Sequence, residues 1–597
     1  MELWGRRTLA GIAGTALAAA ALVTAHTGAA QAAIACDVTY TANTWTESPG
    51  RGGFGANITI KNLGSPLTGW TLRFSFTAGQ TLSNGWQAVW SQSGAQVTAV
   101  NESYNGNVAT GGTVGIGFNG RWTGGNPNPA SFSVNGVTCV GASPSPSPSP
   151  SPSPSPSPSP SPSPSGSTDL HVANPFVGAR GYINRDWADK VSAAGTAQGG
   201  DLGEQMRRAA SFPTAVWLDS LASIASVRGG KSLRQHMDAA LVQSLSQNNM
   251  DPVVVTVVLS DLPDKDCAGD VYQGDLFVTS GGLNAYRTQF VDPIAAILGD
   301  PKYASLRIVT VVEPNTLMEL VFGGSNPRCV EANQSGVYVQ GIQYALNKLH
   351  AIPNVYPYLD IARSISGGYD TNAVPFVTLV GNVVGGTAAG KNSVDGFVSN
   401  VSEYVPVEEI FLPNPNLLVG GTPLWQSRFF DFNKTFDELD YVTNMRAALI
   451  ANGFPSSVGM LIDTSRNGWG GPSRPIIVSS SNDLNTYVDQ SRLDKRLNRG
   501  NWCNQENAGI GARPQAAPSP GIDAYAWVKP PGESDGVSNA AGDRDDPNMH
   551  FNHWCDPDFT PATGALRHTG AAAGAPPYGQ FFTTYFRTLV QNASPAL

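Results

Sequence analysis

The sequence of 597 residues is poor in charge, and several common functional motifs are missing from it. Lys, Arg, Asp and Glu make up 14% of the chain, and 45 acidic residues against 36 Lys and Arg give a net charge of −9. Binding to a phosphate backbone requires clustered cations, so we expect no nucleic acid partner. No P-loop or dinucleotide fingerprint stands between a strand and a helix, and we expect no cofactor and no metal.

After residue 32 the sequence has no apolar run long enough to insert into a bilayer. Residues 1–32 have the pattern of a secretory signal peptide. Arg6 and Arg7 precede an apolar run, and Ala30-Gln31-Ala32 has the form of a cleavage site. The alternative, an uncleaved anchor, fits less well because the run is short for a membrane span. The six cysteines, without a CxxC pair, suit an oxidising compartment. We therefore expect a secreted, extracellular, monomeric protein that has no membrane contact once the signal is removed.

A low-complexity segment divides the chain. From Ser143 to Pro164 it consists of eleven Ser-Pro pairs, which cannot bury apolar surface or form a helix. At about 3.1 Å per residue in the polyproline II form, this spacer could hold two modules roughly 70 Å apart. The predicted organisation is a signal peptide (1–32), a first module (33–140), a Ser-Pro linker (141–167) and a second module (168–597).

The first module has the pattern of an antiparallel β-sandwich. Gly- and Asn-rich turns separate short segments of alternating polarity. These segments are Asn57 to Lys61, Thr71 to Phe76, Gln96 to Val100, Thr113 to Phe118 and Ser131 to Val134. Cys36 and Cys139 lie near the two ends of the module, and a disulfide between them would join its termini.

Three aromatic residues of this module, Trp45, Trp86 and Tyr104, have polar, turn-like neighbours, whereas Trp70 has the surroundings of a core residue. Core packing is the usual role of a single aromatic side chain. Three with polar neighbours favour a surface of exposed rings, which suits the faces of pyranose sugars.

The first module resembles the family 2 carbohydrate-binding modules. The motifs that carry the resemblance include Gly69-Trp70-Thr71-Leu72, Tyr104-Asn105-Gly106, Gly117-Phe118-Asn119-Gly120 and Asn135-Gly136-x-x-Cys139. The resemblance implies binding to crystalline cellulose through Trp45, Trp86 and Tyr104, the last of which stands where the family usually has Trp.

The second module alternates β-branched runs with amphipathic segments, which predicts an α/β fold, a distorted (β/α) barrel. The predicted strands are Val253 to Leu259, Leu306 to Val312, Val355 to Leu359, Val458 to Ile462 and Ala524 to Val528. The predicted helices are Leu283 to Leu298, Val337 to His350 and Phe436 to Asn452.

Polar residues follow the predicted strands, where barrel enzymes place their chemistry. They are Asp261 and Asp266, Glu313 and Asn315, Asp360, Asp463, and Glu533 and Asp535. A single Asp after a strand is usually a cap or turn residue, but four strand ends with carboxylates favour a site. With Trp217 and Trp502 as candidate sugar platforms, these carboxylates suggest glycan hydrolysis.

The second module resembles glycoside hydrolase family 6, cellobiohydrolases and endoglucanases that cut β-1,4-glucan with inversion. The motifs include Trp217-Leu218-Asp219, Asp261-Leu262-Pro263-x-x-Asp266-Cys267, Gly500-Asn501-Trp502-Cys503-Asn504 and Lys529-Pro530-Pro531-Gly532-Glu533-Ser534-Asp535. The resemblance implies that Asp266 tunes the acid, that Asp535 is the base acting through water, and that the sugar is bound by Trp217, Asp219, Trp502, Lys529 and Glu533.

The resemblance also implies two disulfides, Cys267 with Cys329 and Cys503 with Cys555. Two segments, Ser479 to Asn498 and Asn539 to Asn552, look like loops that roof the cleft into a tunnel, which favours exo action.

The chain departs from the family at the proton donor. The family pattern Glu-Pro-Asp reads Glu313-Pro314-Asn315 here, and an amide has no proton to give. Five further positions differ near the cleavage point, namely Ser260, Tyr272, Arg363, Ser366 and Glu403. Three hypotheses remain: a working β-1,4-glucanase in which Asp266 delivers the proton, a catalytically disarmed cellulose-binding protein, and a hydrolase redirected to another glucan or an activated substrate.

Overall fold

The computed structural model describes residues 35–48, 51–129, 131–139, 171–245, 251–269, 274–324, 326–539, 551–559 and 568–597. They belong to two compact units that divide after Pro162. The predicted signal peptide and Ser-Pro linker lie outside the described residues. Within the described part of the chain, no helix combines the length and apolar character needed to cross a membrane.

The first unit consists of two antiparallel sheets, ordered β1-β2-β7-β4 and β5-β6-β3-β8-β9. The strands are β1 (Cys36–Ser48), β2 (Arg51–Asn62), β3 (Thr71–Ser75), β4 (Thr81–Trp86), β5 (Ala88–Ser93), β6 (Gln96–Asn101), β7 (Thr113–Thr123), β8 (Phe132–Val134) and β9 (Val137–Thr138). Alternate side chains point to opposite faces of a strand, so β2 and β7 each bury one row of apolar residues. That row joins a core that includes Trp70, which is 1% exposed. A disulfide links Cys36 to Cys139.

The second unit is built on a nine-stranded sheet, ordered β10-β12-β13-β14-β15-β18-β20-β19, in which β11 also pairs with β12. All its pairs are parallel except β19 with β20. The strands are β10 (Arg180–Gly181), β11 (Val216–Leu218), β12 (Val253–Leu259), β13 (Arg307–Val312), β14 (Val355–Asp360), β15 (Gly396–Ser399), β18 (Gly459–Asp463), β19 (Gln515–Ser519) and β20 (Ile522–Ala526), with a separate hairpin of β16 (Leu418–Val419) and β17 (Thr422–Pro423).

Helices cover this sheet. They are α1 (Arg185–Gln198), α2 (Gly200–Ala209), α3 (Leu233–Leu245), α4 (Gly282–Ala285), α5 (Asp292–Leu298), α6 (Thr316–Phe322), α7 (Pro327–Ser335), α8 (Val337–His350), α9 (Ser364–Gly367), α10 (Asp370–Gly385), α11 (Glu438–Ala451), α12 (Leu484–Ser491) and α13 (Thr583–Gln591). A π-helical turn, Tyr286–Val291, joins α4 to α5.

Both faces of the sheet are buried, which explains the continuous valine run of β12. Val253, Val255 and Val257 belong to the core beneath the helices, whereas Val254 and Val258 belong to a second apolar cluster on the other face. Parallel strands covered on both sides have this kind of sequence.

The sheet curls until its two ends meet. The backbone N–H of Ala215, next to β11, donates to the carbonyl of Trp527 beyond β20 at 3.2 Å. The indole of Trp217 donates to the carbonyl of Val528 at 2.8 Å. The carboxyl ends of the central strands therefore surround one concave region.

Candidate active site

A cavity of about 500 Å³ opens at the carboxyl ends of the strands. Many of the residues singled out in the sequence line it. They are Trp217, Asp219, Ser260, Asp266, Asn315, Arg363, Glu403, Trp502, Lys529 and Asp535. Ser366 and Glu533 are not among its lining residues.

The backbone is strained where the strands enter the cavity. Asp266 follows β12 with a φ of 64°, while Glu313 and Asn315 follow β13 with φ of 49° and 64°. Residues other than glycine rarely adopt positive φ, and such strain is concentrated at functional sites. The strained turns aim Asp266 and Asn315 into the cavity instead of along the sheet.

Two acids at strand ends, Asp360 and Asp463, accept hydrogen bonds from backbone N–H groups. Asp360 Oδ1 accepts hydrogen bonds from the N–H groups of Asn315 and Ala362, both at 2.8 Å. Asp463 accepts from the N–H groups of Ser402 at 3.0 Å and Lys529 at 2.9 Å. These contacts shape the loops after neighbouring strands. The two hydrogen bonds to Asp360 lower its pKa, but burial has the larger effect and raises that pKa to about 7.

Asp535 lies in a network that keeps it ionised. Its Oδ2 atom accepts from Arg466 Nη1 at 2.7 Å, from the Tyr404 hydroxyl at 3.1 Å and from the Asn504 N–H at 2.9 Å. Burial alone would raise the pKa of Asp535, but the charges of Arg466 and Lys529 outweigh it and lower the pKa.

Lys529 is the second cation of this network. Its Nζ atom lies 3.3 Å from Asp535 Oδ1, and the residue is 1% exposed. Burial lowers the pKa of Lys529 to about 7, even though Asp535 acts in the opposite direction. The charge of this lysine is therefore sensitive to pH near neutrality.

Asn315 is held in place through its side-chain amide. Its Oδ1 atom accepts from Arg363 Nη1 at 2.9 Å, and its Nδ2 atom donates to the carbonyl of Val401 at 3.4 Å. Arg363 also pairs with Glu403, Nη2 to Oε1, at 3.1 Å. Three of the positions that differ from the family pattern thus form one connected cluster, with one cation and one anion.

A carboxyl pair lies on the wall next to this cluster. Glu319 lines the cavity one helical turn after Asn315, and its side chain hydrogen-bonds that of Asp266. Its Oε2 atom also accepts from the Ala268 N–H at 3.4 Å. Burial, followed by the charge of Asp266, raises the pKa of Glu319 well above its usual value.

Cations cover the predicted platform Trp217. The guanidinium of Arg228 lies 5.4 Å from the ring centroid and Lys529 Nζ lies 5.6 Å from it. Arg228 also pairs with Asp219 at 2.9 Å and with Glu533. Glu533 therefore lies behind Arg228, whereas Asp219 and Trp217 reach the cavity.

Sequence reasoning missed several lining residues. Glu319, Arg228, Tyr578 and Trp554 line the cavity together with the predicted ones. Glu319 was missed because it lies within α6, a helix that the sequence analysis did not predict. Tyr578, which lies far from any predicted strand end, gives no comparable signal.

Comparison with known proteins identifies the family. The family model described as glycosyl hydrolases family 6 matches residues 176–593, and the cellulose binding domain matches residues 36–139. The chain belongs to glycosyl hydrolase family 6. This confirms the predicted family and enzyme class, a glycosidase of the β-1,4-glucanase or cellobiohydrolase type, with a cellulose-binding module before it.

Relatives in family 6 come from bacteria and fungi. Exoglucanase A of Cellulomonas fimi is 45% identical over 434 residues, which are 72% of this chain and 49% of that protein. The chain thus spans about half the length of that relative. Exoglucanase 3 of Agaricus bisporus is 28% identical over 71% of this chain and 80% of its own length. The catalytic domain of Cellulomonas fimi Cel6B aligns with a TM-score of 0.69 at 45% identity, over 72% of this chain and 96% of its own.

The two segments that were expected to cover the cleft, Ser479 to Asn498 and Asn539 to Asn552, differ in whether they reach the cavity. Residues 479–498 contain α12 and do not line the cavity, whereas Gly500 and Trp502 just after them do. The second segment lies mostly outside the described residues, but Asn552 at its end and Trp554 just after it line the cavity. Disulfides join Cys267 to Cys329 and Cys503 to Cys555, the pairs that the family resemblance implied.

In the cellulose-binding module, the structure brings two of the three predicted aromatics to neighbouring segments. Tyr104 is 71% exposed, and Trp86 is half-buried above Gly117, where a Cβ atom would clash with its ring. Asn105 donates to the carbonyl of Gln87 at 2.8 Å, which ties the Tyr104 turn to the end of β4. The side chain of Trp45 lies outside the described residues.

Proposed function

We propose that this protein is a secreted, cellulose-targeted glycoside hydrolase that cleaves β-1,4-glucosidic bonds with inversion and acts from chain ends, as a cellobiohydrolase does. The observation that carries the proposal is an ionised, buried Asp535 in the same cavity as Asp266 and Trp502. An inverting glycosidase requires carboxyl groups on both sides of the scissile bond. Asp266 follows β12 and Asp535 follows β20, and both line the cavity.

In this proposal each group has a defined task. Trp502 positions a sugar ring, Trp217 lies beneath Arg228 and Lys529 in the cavity wall, and Lys529 and Asp219 bind hydroxyl groups. Asp535 accepts the proton of the attacking water through a further water molecule, because its own oxygens are occupied by Arg466 and Lys529. The names of the relatives, exoglucanase and 1,4-beta-D-glucan cellobiohydrolase, support a β-1,4-glucan as the substrate, and the matched binding domain supports attachment to cellulose.

One observation favours a second candidate, a disarmed cellulose-binding protein. Asn315 takes the place of the expected acid, and Arg363 occupies its carbonyl oxygen. In that case the cavity would hold a glucan chain without cutting it.

The deciding experiment measures reducing-sugar release from amorphous cellulose by the purified protein, with Asp535→Asn as the paired variant. Release that falls by about 10²-fold or more in the variant supports the hydrolase. If the wild type releases no more reducing sugar than a buffer blank but binds cello-oligosaccharides, the disarmed binder is supported.

The anomeric form of the first product, followed by NMR, tests inversion, and the ratio of soluble to insoluble reducing ends tests exo action.

A further inference from the structure

Asn315 leaves a family 6 hydrolase without its usual proton source, and the carboxyl groups of Asp266 and Glu319 line the same cavity. We propose that Glu319 acts as a positioning residue that loads Asp266 with a proton, so that Asp266 protonates the leaving oxygen in place of residue 315. The inference rests on the proposed hydrolase function and assigns the role of general acid to Asp266.

The first support is geometry. Glu319 lies on α6, one turn after Asn315, and it is 5% exposed, whereas Asp266 is half-buried and faces the cavity. A hydrogen bond between two carboxyl groups requires a proton between them. The pair can therefore hold one proton beside the cavity, with Asp266 as the member that reaches a substrate.

The second support is rigidity. The Cys267–Cys329 disulfide joins the residue after Asp266 to α7, and a Glu319 oxygen lies within 4.8 Å of those sulfur atoms. The N–H of Ala268 donates to the same carboxyl group. The loop that carries Asp266 and the helix that carries Glu319 are thus fastened together, and proton donors need such positioning.

The charged surroundings are consistent with a shared proton. Burial and the neighbouring Asp266 raise the pKa of Glu319. The groups that face the pair are Lys265, which acts in the opposite direction, Tyr338 on α8 and Tyr578. A nearby cation stabilises the pair after it has lost its proton, because two adjacent carboxylates otherwise repel each other.

The proposed step is balanced. As the bond between C1 and the glycosidic oxygen breaks, Glu319 leaves the single proton of the pair on Asp266, and that proton moves to the glycosidic oxygen, so both carboxyl groups are ionised at the end of the step. Water forms the new bond to C1 from the opposite face, and its proton leaves through the water held at Asp535. Solvent then returns one proton to the carboxyl pair.

The test compares the wild type with Glu319→Gln on two substrates. Cellotetraose needs a proton on its leaving oxygen, whereas dinitrophenyl β-cellobioside has a leaving group that departs without one. We expect kcat/KM of the variant to fall by about 10²-fold or more on cellotetraose and to change little on the aryl substrate. The optimum on cellotetraose should also move to lower pH, because a lone carboxyl group keeps its proton only in acid.

Asp266→Asn should show the same split between substrates. The matched control is Glu331→Gln, a carboxyl group that lies exposed on α7 and should change neither rate. Equal slowing of both substrates by Glu319→Gln would assign Glu319 a purely structural role and overturn the inference while leaving the hydrolase intact. A wild type that cleaves neither substrate would overturn the hydrolase and the inference together.

A second readout does not depend on turnover. Infrared difference spectra of the wild type and Glu319→Gln at neutral pH should contain the carbonyl band of a protonated carboxyl group that the variant lacks. A spectrum without that band means that the pair carries no proton, which also contradicts the inference.

Discussion

At the scale of single residues, the amide of Asn315 belongs to a set of changes that fit one another. Arg363 donates to its oxygen and is neutralised by Glu403. Glu403 also lies 3.7 Å from Arg496. A carboxylate introduced at position 315 would therefore lie against the guanidinium of Arg363, which already contacts the side chain of residue 315.

We predict that Asn315→Asp alone restores little acid catalysis. A cation in contact with an Asp lowers the pKa of that carboxyl group, commonly by about 1–3 units, so the new side chain would stay ionised at neutral pH. The double variant Asn315→Asp with Arg363→His should hydrolyse cellotetraose faster than the single variant, by up to about 10²–10⁴-fold. Initial rates across pH check this.

Arg363→His alone serves as the control for the prediction, since above the ordinary His pKa of about 6.5 it removes the fixed positive charge without placing a carboxyl group at position 315. A single Asn315→Asp variant as fast as the double variant would show that Arg363 does not hold the carboxyl group ionised.

Lys529 gives a second prediction, on stability. Its folded pKa is about 7, below the value of about 10.4 in an unfolded chain, so between these pH values the unfolded state binds one more proton. The free energy of unfolding should then rise with pH across this window, by about 1.4 kcal/mol per pH unit for that proton. Below pH 7 both states carry the charge and this dependence ends.

Denaturant unfolding of the wild type and Lys529→Met from pH 6 to 9 measures the effect. The stability advantage of the Met variant should shrink as the pH rises above 7. A constant difference between the two proteins would mean that Lys529 keeps its charge throughout.

At the scale of elements, strands and helices with strong patterns could be predicted and short ones could not. The bounds of β12 and α8 match the predicted Val253 to Leu259 and Val337 to His350. The sequence analysis missed β15, a buried strand of four residues beginning with Gly396, because so short a run has no period of its own. It also missed α10, which contains Pro375 within the helix.

The disulfide between the loop after β12 and α7 leads to a third prediction. The double variant Cys267→Ser and Cys329→Ser should lose about 2–5 kcal/mol of unfolding free energy in the catalytic module. Its turnover of cello-oligosaccharides should also fall, because the loop holds Asp266 beside Glu319. Thermal unfolding and initial rates measure both effects.

The disulfide of the binding module is the matched control. Cys36→Ser with Cys139→Ser should destabilise that module and leave the hydrolysis of soluble substrates unchanged. If the catalytic double variant retained full activity on cellotetraose, the disulfide would have no part in positioning the acid.

At the scale of the whole molecule, the candidate site was partly predictable because parallel strands bring their carboxyl ends together. Asp266, Asn315 and Asp535 come from three different strand ends, and all three line one cavity. The partners that decide their chemistry were not predictable. The contacts of Arg363 with Asn315 and of Arg228 with Glu533 link residues 48 and 305 positions apart. Such pairs depend on tertiary packing, which local sequence patterns do not encode.

The division of the chain into two units leads to the last prediction. Tyr104 is exposed on the binding module and the cavity belongs to the other unit, so binding to a surface and cleavage of a bond should respond to different substitutions. Tyr104→Ala should weaken adsorption to crystalline cellulose, by about 1–2 kcal/mol for a lost ring contact, and should slow its hydrolysis at low enzyme concentration. Tyr104→Trp should strengthen adsorption, because the larger ring covers more of a pyranose face. Both variants should hydrolyse cellotetraose at the wild-type rate. Adsorption isotherms with parallel assays on the two substrates check this, and an equal loss on cellotetraose and crystalline cellulose in Tyr104→Ala would contradict the separation of the two tasks.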